Sequence, residues 1–228
     1  MTSMTTCFTR LAYSSALLAS LALLSPASAG IILSAPAPTA SGPGIGSVII
    51  PIVLTTSPNN DNEAGPTGNN ITIVGKRFDA NGYIDIEFNV AASNGVTEYL
   101  VTEFVDNNTG LPWVNYTMEL GFGTGINFQQ SPAGDGLDFD TPDAPVFDAP
   151  ATSTAFPAVV TNEDLLTFGG GIHGSGQQTY AFRIDVPNLD GRAARFTLRQ
   201  TPIAVPEPAT MALAGVALIG ALCVRRRS

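Results

Sequence analysis

Tyr83-Ile84-Asp85-Ile86-Glu87-Phe88-Asn89-Val90 is the stretch that decides the fold. Ile84, Ile86, Phe88 and Val90 alternate with Tyr83, Asp85, Glu87 and Asn89, so an extended chain puts the four apolar side chains on one face. That pattern predicts a strand with one face in a core and the other toward water. The same period recurs downstream. Val96 to Val105 and Trp113 to Phe122 predict two further strands, and in the second Val114, Tyr116, Met118, Leu120 and Phe122 share a face opposite Asn115, Thr117 and Glu119. Between them, Asp106-Asn107-Asn108-Thr109-Gly110 has the composition of a hairpin turn. Tyr180, Phe182, Ile184 and Val186 repeat the alternation, and Phe196 and Leu198 begin a last short strand.

Working upstream, Val48 to Thr55 is a β-branched run that reads as the first strand, with Pro51 pointing to a sheet edge. Residues 57–70, SPNNDNEAGPTGNN, are nearly all turn formers and predict a long exposed loop. Gly30 to Gly46, rich in Ala, Pro, Ser and Gly, reads as a flexible lead-in, residues 30–46 of the domain. No window between the two ends of the chain has convincing helical periodicity. Many short strands separated by Gly and Pro turns predict an all-β fold, an antiparallel β-sandwich of jelly-roll-like or Ig-like type, over residues 30–204.

The ends carry targeting signals instead of fold. Leu11 to Leu24 is an apolar run without a charge, preceded by Arg10 and followed by Pro26 and Ala27-Ser28-Ala29. Small side chains at Ala27 and Ala29 fit a signal peptidase, so residues 1–29 are expected to be a signal peptide cleaved after Ala29. Cys7 precedes the apolar run, so an acylated lipoprotein cysteine is not expected. Cys223 lies in the C-terminal apolar segment, which leaves residues 30–204 without a cysteine and excludes a thiol nucleophile or thiolate metal site there.

At the other end Val205-Pro206-Glu207-Pro208-Ala209-Thr210 leads into an uncharged run and then Arg225-Arg226-Arg227-Ser228. As a helix, residues 209–224 would be about 24 Å long, somewhat short of the ~30 Å hydrocarbon core. The arginines would act as a membrane stop on the cytoplasmic side, leaving residues 30–204 outside. Pro206 and Pro208 hold the residues before them extended and accessible.

Residues 205–228 closely resemble the sorting signals of the PEP-CTERM family, in which Val-Pro-Glu-Pro-Ala-Thr, a short span and a basic tail follow in this order. The resemblance implies an exosortase as processing partner, a transient inner-membrane intermediate, and delivery to the cell surface or extracellular matrix. The run NNTGLPWVNYTMELGFGTG at 107–125, followed by DGLDFD at 135–140, also resembles the ectodomains of choice-of-anchor proteins, type F. That resemblance implies a surface-displayed β domain and no mechanism.

Charge narrows the function. Residues 30–204 carry six basic side chains (Lys76, Arg77, Arg183, Arg192, Arg195, Arg199) against eighteen acidic ones, a net of minus 12. Such a surface repels nucleic acid, and no basic patch offsets it. The single histidine, His173, lies in a glycine run that lacks the lysine and hydroxyl of a phosphate loop and the spacing of a nucleophile elbow. It reads as a solvated loop-tip histidine. Trp113 and Tyr116 could stack on sugars or pack in a core, and strand aromatics more often pack. Asp135, Asp138, Asp140 and Asp143 are a candidate calcium set of hard oxygen donors without EF-hand spacing, the alternative being a solvated acidic loop. No other cofactor is expected. The expectation is therefore an exported cell-surface or extracellular-matrix protein with a non-catalytic structural, adhesive or polysaccharide-contacting role, extracellular polysaccharide being a candidate partner. The alternative is a secreted carboxylate- or metal-dependent hydrolase acting on that polysaccharide.

Overall fold

The computed structural model describes residues 30–49, 51–60, 65–93, 95–139, 150–189 and 194–205. The expected signal peptide with Ala27 and Ala29, Pro206 to Thr210, Arg225 to Arg227, and Asp140 and Asp143 lie outside the described residues. Within them the regular secondary structure is nearly all strand: β1 (Gly30–Ile32), β2 (Thr39–Ser41), β3 (Ile45–Ser47), β4 (Ile52–Leu54), β5 (Asn70–Phe78), β6 (Ile84–Ala92), β7 (Thr97–Asn107), β8 (Trp113–Phe122), β9 (Gln129–Gln130), β10 (Thr152–Ser153), β11 (Ala158–Asn162), β12 (Leu165–Gly169), β13 (Gly176–Val186) and β14 (Arg195–Ala204). One 3-10 turn, Gly125–Asn127, is the only helical element among the described residues.

The strands form two sheets. One runs β1-β6-β14-β8-β12-β11, with β2 added to β6 and β9 to β8; the other runs β10-β13-β7-β5-β3, with β4 added to β5. Pairing is antiparallel except between β5 and β7, which run parallel. The sheets face each other across an aromatic core. From the second sheet, Phe78 meets Trp113 and Tyr116 of the first edge-on, with centroids 5.2 and 6.0 Å apart. Tyr180 lies 4.9 Å from Tyr116 and 5.1 Å from Phe168. Within the first sheet, Phe88 stacks on Phe196, its directly opposed partner, at 5.0 Å. Burying each such ring stabilises the fold by about 1.5–3 kcal/mol relative to leaving it exposed. The antiparallel sandwich expected from the alternation is the observed architecture, with that one parallel pair added.

Ile84, Ile86, Phe88 and Val90 all point into the core, as their spacing predicts. On the outer face, Asp85 is also buried, because Arg199 on β14 grips it with two hydrogen bonds of 2.7 and 2.9 Å. The Arg199 guanidinium lies between the rings of Tyr83 and Phe128, about 4 Å from each centroid.

Several expectations are corrected. Gly30 to Gly46 is not a flexible lead-in, since β1 and β2 pair with β6 and β3 pairs with β5. Their short lengths and few inward side chains leave no periodicity to read. The first strand is not Val48 to Thr55; among the described residues of that run only β4 is a strand, the fourth in chain order. The loop 57–70 is pinned at its end by buried Asn69, whose Oδ1 accepts from the Thr56 and Ser57 amides at 2.9 Å. Residues 106–110 do not make a hairpin, because β7 and β8 belong to different sheets. Asn107, nearly fully buried, holds this arch: its Nδ2 donates to the Leu111 and His173 carbonyls, and its Oδ1 accepts from the Thr109 amide and hydroxyl. A two-sheet crossing needs the same turn formers as a hairpin, so composition does not separate them.

Two bulges rephase strands. On β5 the register shifts between Ile73 and Lys76, and Gly75 has φ +68°. Ile71 and Ile73 point inward before the bulge, and Lys76 and Phe78 after it. On β8 and β14 the irregularity beside Trp113 brings it inward with Tyr116 despite their odd separation.

Candidate functional site

Three places in the sandwich bring chemistry-bearing side chains together. The first is a polar cluster enclosed between the sheets. Lys76 on β5, Glu103 on the neighbouring β7 and Gln200 on β14 across the core are all fully buried. Lys76 Nζ donates to Glu103 Oε2 and to Gln200 Oε1, and Gln200 Nε2 donates to Glu103 Oε1. The Tyr116 hydroxyl donates to Gln200 Oε1 at 2.9 Å. Burial lowers the lysine pKa, partly offset by the attraction of Glu103, and pushes the Tyr116 hydroxyl well up, with the Glu103 charge adding to it. Periodicity and motif spacing do not single these residues out. The one signal in the sequence is Gly75, a glycine inside a β-branched stretch, which marks a bulge and hence a side chain turned to the unexpected face.

The second place surrounds His173. It is fully buried, not a solvated loop tip. Backbone hydrogen bonds in both directions, each 3.0 Å, tie it to Trp113. Its Nε2 faces the Gly176 carbonyl at 3.0 Å, so it must carry the proton, and Nδ1 then accepts from the Tyr180 hydroxyl at 2.9 Å. Burial lowers the pKa, and the neutral ring packs edge-on against Trp113 at 4.5 Å. A glycine-rich context suggests exposure; packing against Trp113 overrides it. Trp113 and Tyr116 are themselves fully buried, so neither presents a face to a sugar. A pocket of about 230 Å³ lies beside this region, lined by Asn107, Gly110, Leu111, Pro112 and Ser175. It is smaller than the ~300–1,000 Å³ of most small-molecule sites, and its lining has no ionisable side chain.

The third place is acidic. Asp135 accepts from the Ser131 hydroxyl at 2.8 Å and from the Leu137 amide at 3.0 Å, so its carboxylate shapes its own turn. The Asp138 carbonyl accepts from the Asp185 amide at 2.9 Å, which fixes the segment to β13. Asp164, in the turn between β11 and β12, joins them. Little of it is accessible, its Oδ1 has no hydrogen-bond partner among the described residues, and its carboxyl is pushed up to about 6 by burial and then by the charges of Asp135, Glu163 and Asp138. The sequence-derived set does not include Asp164, because nothing in sequence places the β11–β12 turn beside residues 135–138. Among the described residues, no group of three His, Cys, Asp or Glu side chains is arranged to hold a metal ion.

β14 ends at Ala204, and the Val205 amide still donates to the Pro112 carbonyl at 2.9 Å. The sandwich therefore closes at the residue where the Pro-Glu-Pro stretch begins, with no spacer between fold and tail. Among the described residues no helix is long and apolar enough to cross a membrane. No curated protein and no solved structure gives a match to this chain. Residues 204–227 match the model of the PEP-CTERM protein-sorting motif, so behind its β-sandwich the chain carries a tail of the kind that exosortases process during export.

Proposed function

We propose that the sandwich is a non-catalytic module with a structural, adhesive or polysaccharide-contacting role, displayed at the cell surface or in the extracellular matrix. The single observation that carries this reading is the sorting motif at 204–227, set directly against the end of β14. An acidic, cysteine-free sandwich with a densely packed aromatic core suits a passive, durable role outside the cell. In this reading an exosortase acts on the membrane-held intermediate at Pro206-Glu207-Pro208, and the domain between residues 30 and 204 is what remains in place. Incubating the purified protein with extracellular polysaccharide, and measuring binding beside release of reducing sugar, tests it. Binding without sugar release is the expected result, and sugar release at a catalytic rate overturns it.

One observation favours the second reading, a carboxylate-dependent hydrolase. Asp164 is raised to about 6 beside Asp135 and Asp138, the kind of carboxyl that can donate a proton near neutral pH. Under that reading sugar release occurs and is abolished in Asp164→Asn.

A further inference from the structure

Lys76, Glu103, Gln200 and Tyr116 are more than an ion pair requires. A lysine and a glutamate sealed in a core lose more solvation than their attraction repays unless further groups satisfy them, and an apolar pair would serve packing as well. Here the further group is a carboxamide touched from three sides. The amine contacts its oxygen, so the amide carbon lies one covalent bond beyond an atom that Nζ already reaches. One carboxyl bridges the amine and the amide nitrogen through its two oxygens. A tyrosine hydroxyl is aimed at the amide oxygen. All four side chains are fully buried, so water cannot compete as a nucleophile.

We propose that Lys76 and Gln200 become joined by an intramolecular isopeptide bond formed in the folded chain, with Glu103 carrying the proton and Tyr116 stabilising the oxyanion. Transfer of one proton from Nζ to Glu103 frees the amine lone pair, and burial of the lysine favours that neutral form. Nζ then attacks the amide carbon of Gln200, the carbonyl electron pair moves to Oε1, and the Tyr116 hydroxyl holds the charge that develops there. Glu103 gives its proton to Nε2 and takes the remaining surplus proton from Nζ. The electron pair returns from Oε1, the bond from carbon to Nε2 breaks, and ammonia leaves. One amine and one primary amide become one secondary amide and one ammonia, with no oxidant or reductant. Glu103 ends as a carboxylic acid beside the new amide, so the core is left without formal charge. Holding the reactants in contact replaces the bimolecular encounter that makes uncatalysed amide exchange slow.

The fold supplies the geometry. The bulge at Gly75 turns Lys76 inward, the parallel pairing of β5 with β7 sets Glu103 beside it, and the pairing of β14 with β8 places Pro202 opposite Tyr116 and so brings Gln200 near that ring. The link would join residues 124 positions apart and tie the second sheet to the strand that runs into the sorting tail. A cysteine-free domain would thereby gain a cross-link that no reductant opens.

Proteolytic digestion of the protein purified after export, followed by fragment mass spectrometry, tests the proposal. The expected product is a branched peptide joining the segments that contain Lys76 and Gln200, lighter by one ammonia than their sum. In Glu103→Gln the branch is expected to be lost and both linear peptides recovered. Recovery of only linear peptides with unmodified Lys76 and Gln200 from the wild-type chain overturns the proposal, whether or not any variant folds. A branch from Lys76 to Glu103 in place of Gln200 overturns it as well.

Discussion

Asp164→Asn should make the protein more stable at neutral and alkaline pH and leave it unchanged in acid. The Asp164 carboxyl is raised from 3.8 to about 6, by burial first and by Asp135, Glu163 and Asp138 next. The folded state therefore holds this proton more tightly than the unfolded chain does. Its contribution to stability is fully present below the unfolded pKa and is lost as pH rises through about 6. Moving the carboxyl from 3.8 to about 6 corresponds to at most ~3 kcal/mol. The turn sits at the edge of the fold, where solvent screens the neighbouring charges, and a discounted value is about 1–2 kcal/mol. Removing the charge with an isosteric amide should recover that amount above pH 7. For a domain of this size the gain is about 2–8 °C in Tm. Thermal melts of the two proteins at pH 4 and pH 8 provide the assay. Curves that differ equally at both pH values, or not at all, would refute the argument from charge.

Four other outcomes are expected of the same molecule. His173 has a lowered pKa because it is buried, so the wild-type protein should lose stability as pH falls below about 6.5; in His173→Gln that dependence should flatten in the melting curves. Tyr180→Phe removes the donor to His173 Nδ1 and should cost about 1–3 kcal/mol by denaturant titration. Gly75→Ala places a side chain at φ +68° and should cost about 1–2 kcal/mol, measured the same way. If the acidic segment takes calcium, millimolar calcium should raise the Tm by mass action and Asp138→Ala should abolish the rise; a melting curve insensitive to calcium leaves the solvated-loop reading.

Strands that bury alternate side chains are legible in the sequence. Ile84 to Val90 and Tyr180 to Val186 announce themselves, because a one-sided sheet imposes period two on the residues. β5 is not legible, since the extra residue at Gly75 breaks the parity between Ile73 and Phe78 and lets a lysine fall on the apolar side. β1 to β3 are hidden for a different reason: three-residue strands in a Pro- and Gly-rich stretch contribute backbone pairing and few inward side chains. The crossing between β7 and β8 reads as a hairpin because turn residues report that the chain reverses, not which sheet it joins. The sorting tail is legible because it is a linear motif, carried by consecutive residues and not by the fold, and residues 204–227 match the sorting-motif model. The buried cluster is not, because Lys76, Glu103 and Gln200 come from three separate strands and meet only through the pairing of the sheets.

The role proposed for this sandwich depends on its export by exosortase sorting of the tail, and intact-mass measurement of the protein extracted from the cell surface decides that point. The expected species begins at Gly30 and has lost Arg225, Arg226, Arg227 and Ser228. A surface form that still carries those four residues would contradict it, and the tail would then be an ordinary membrane anchor.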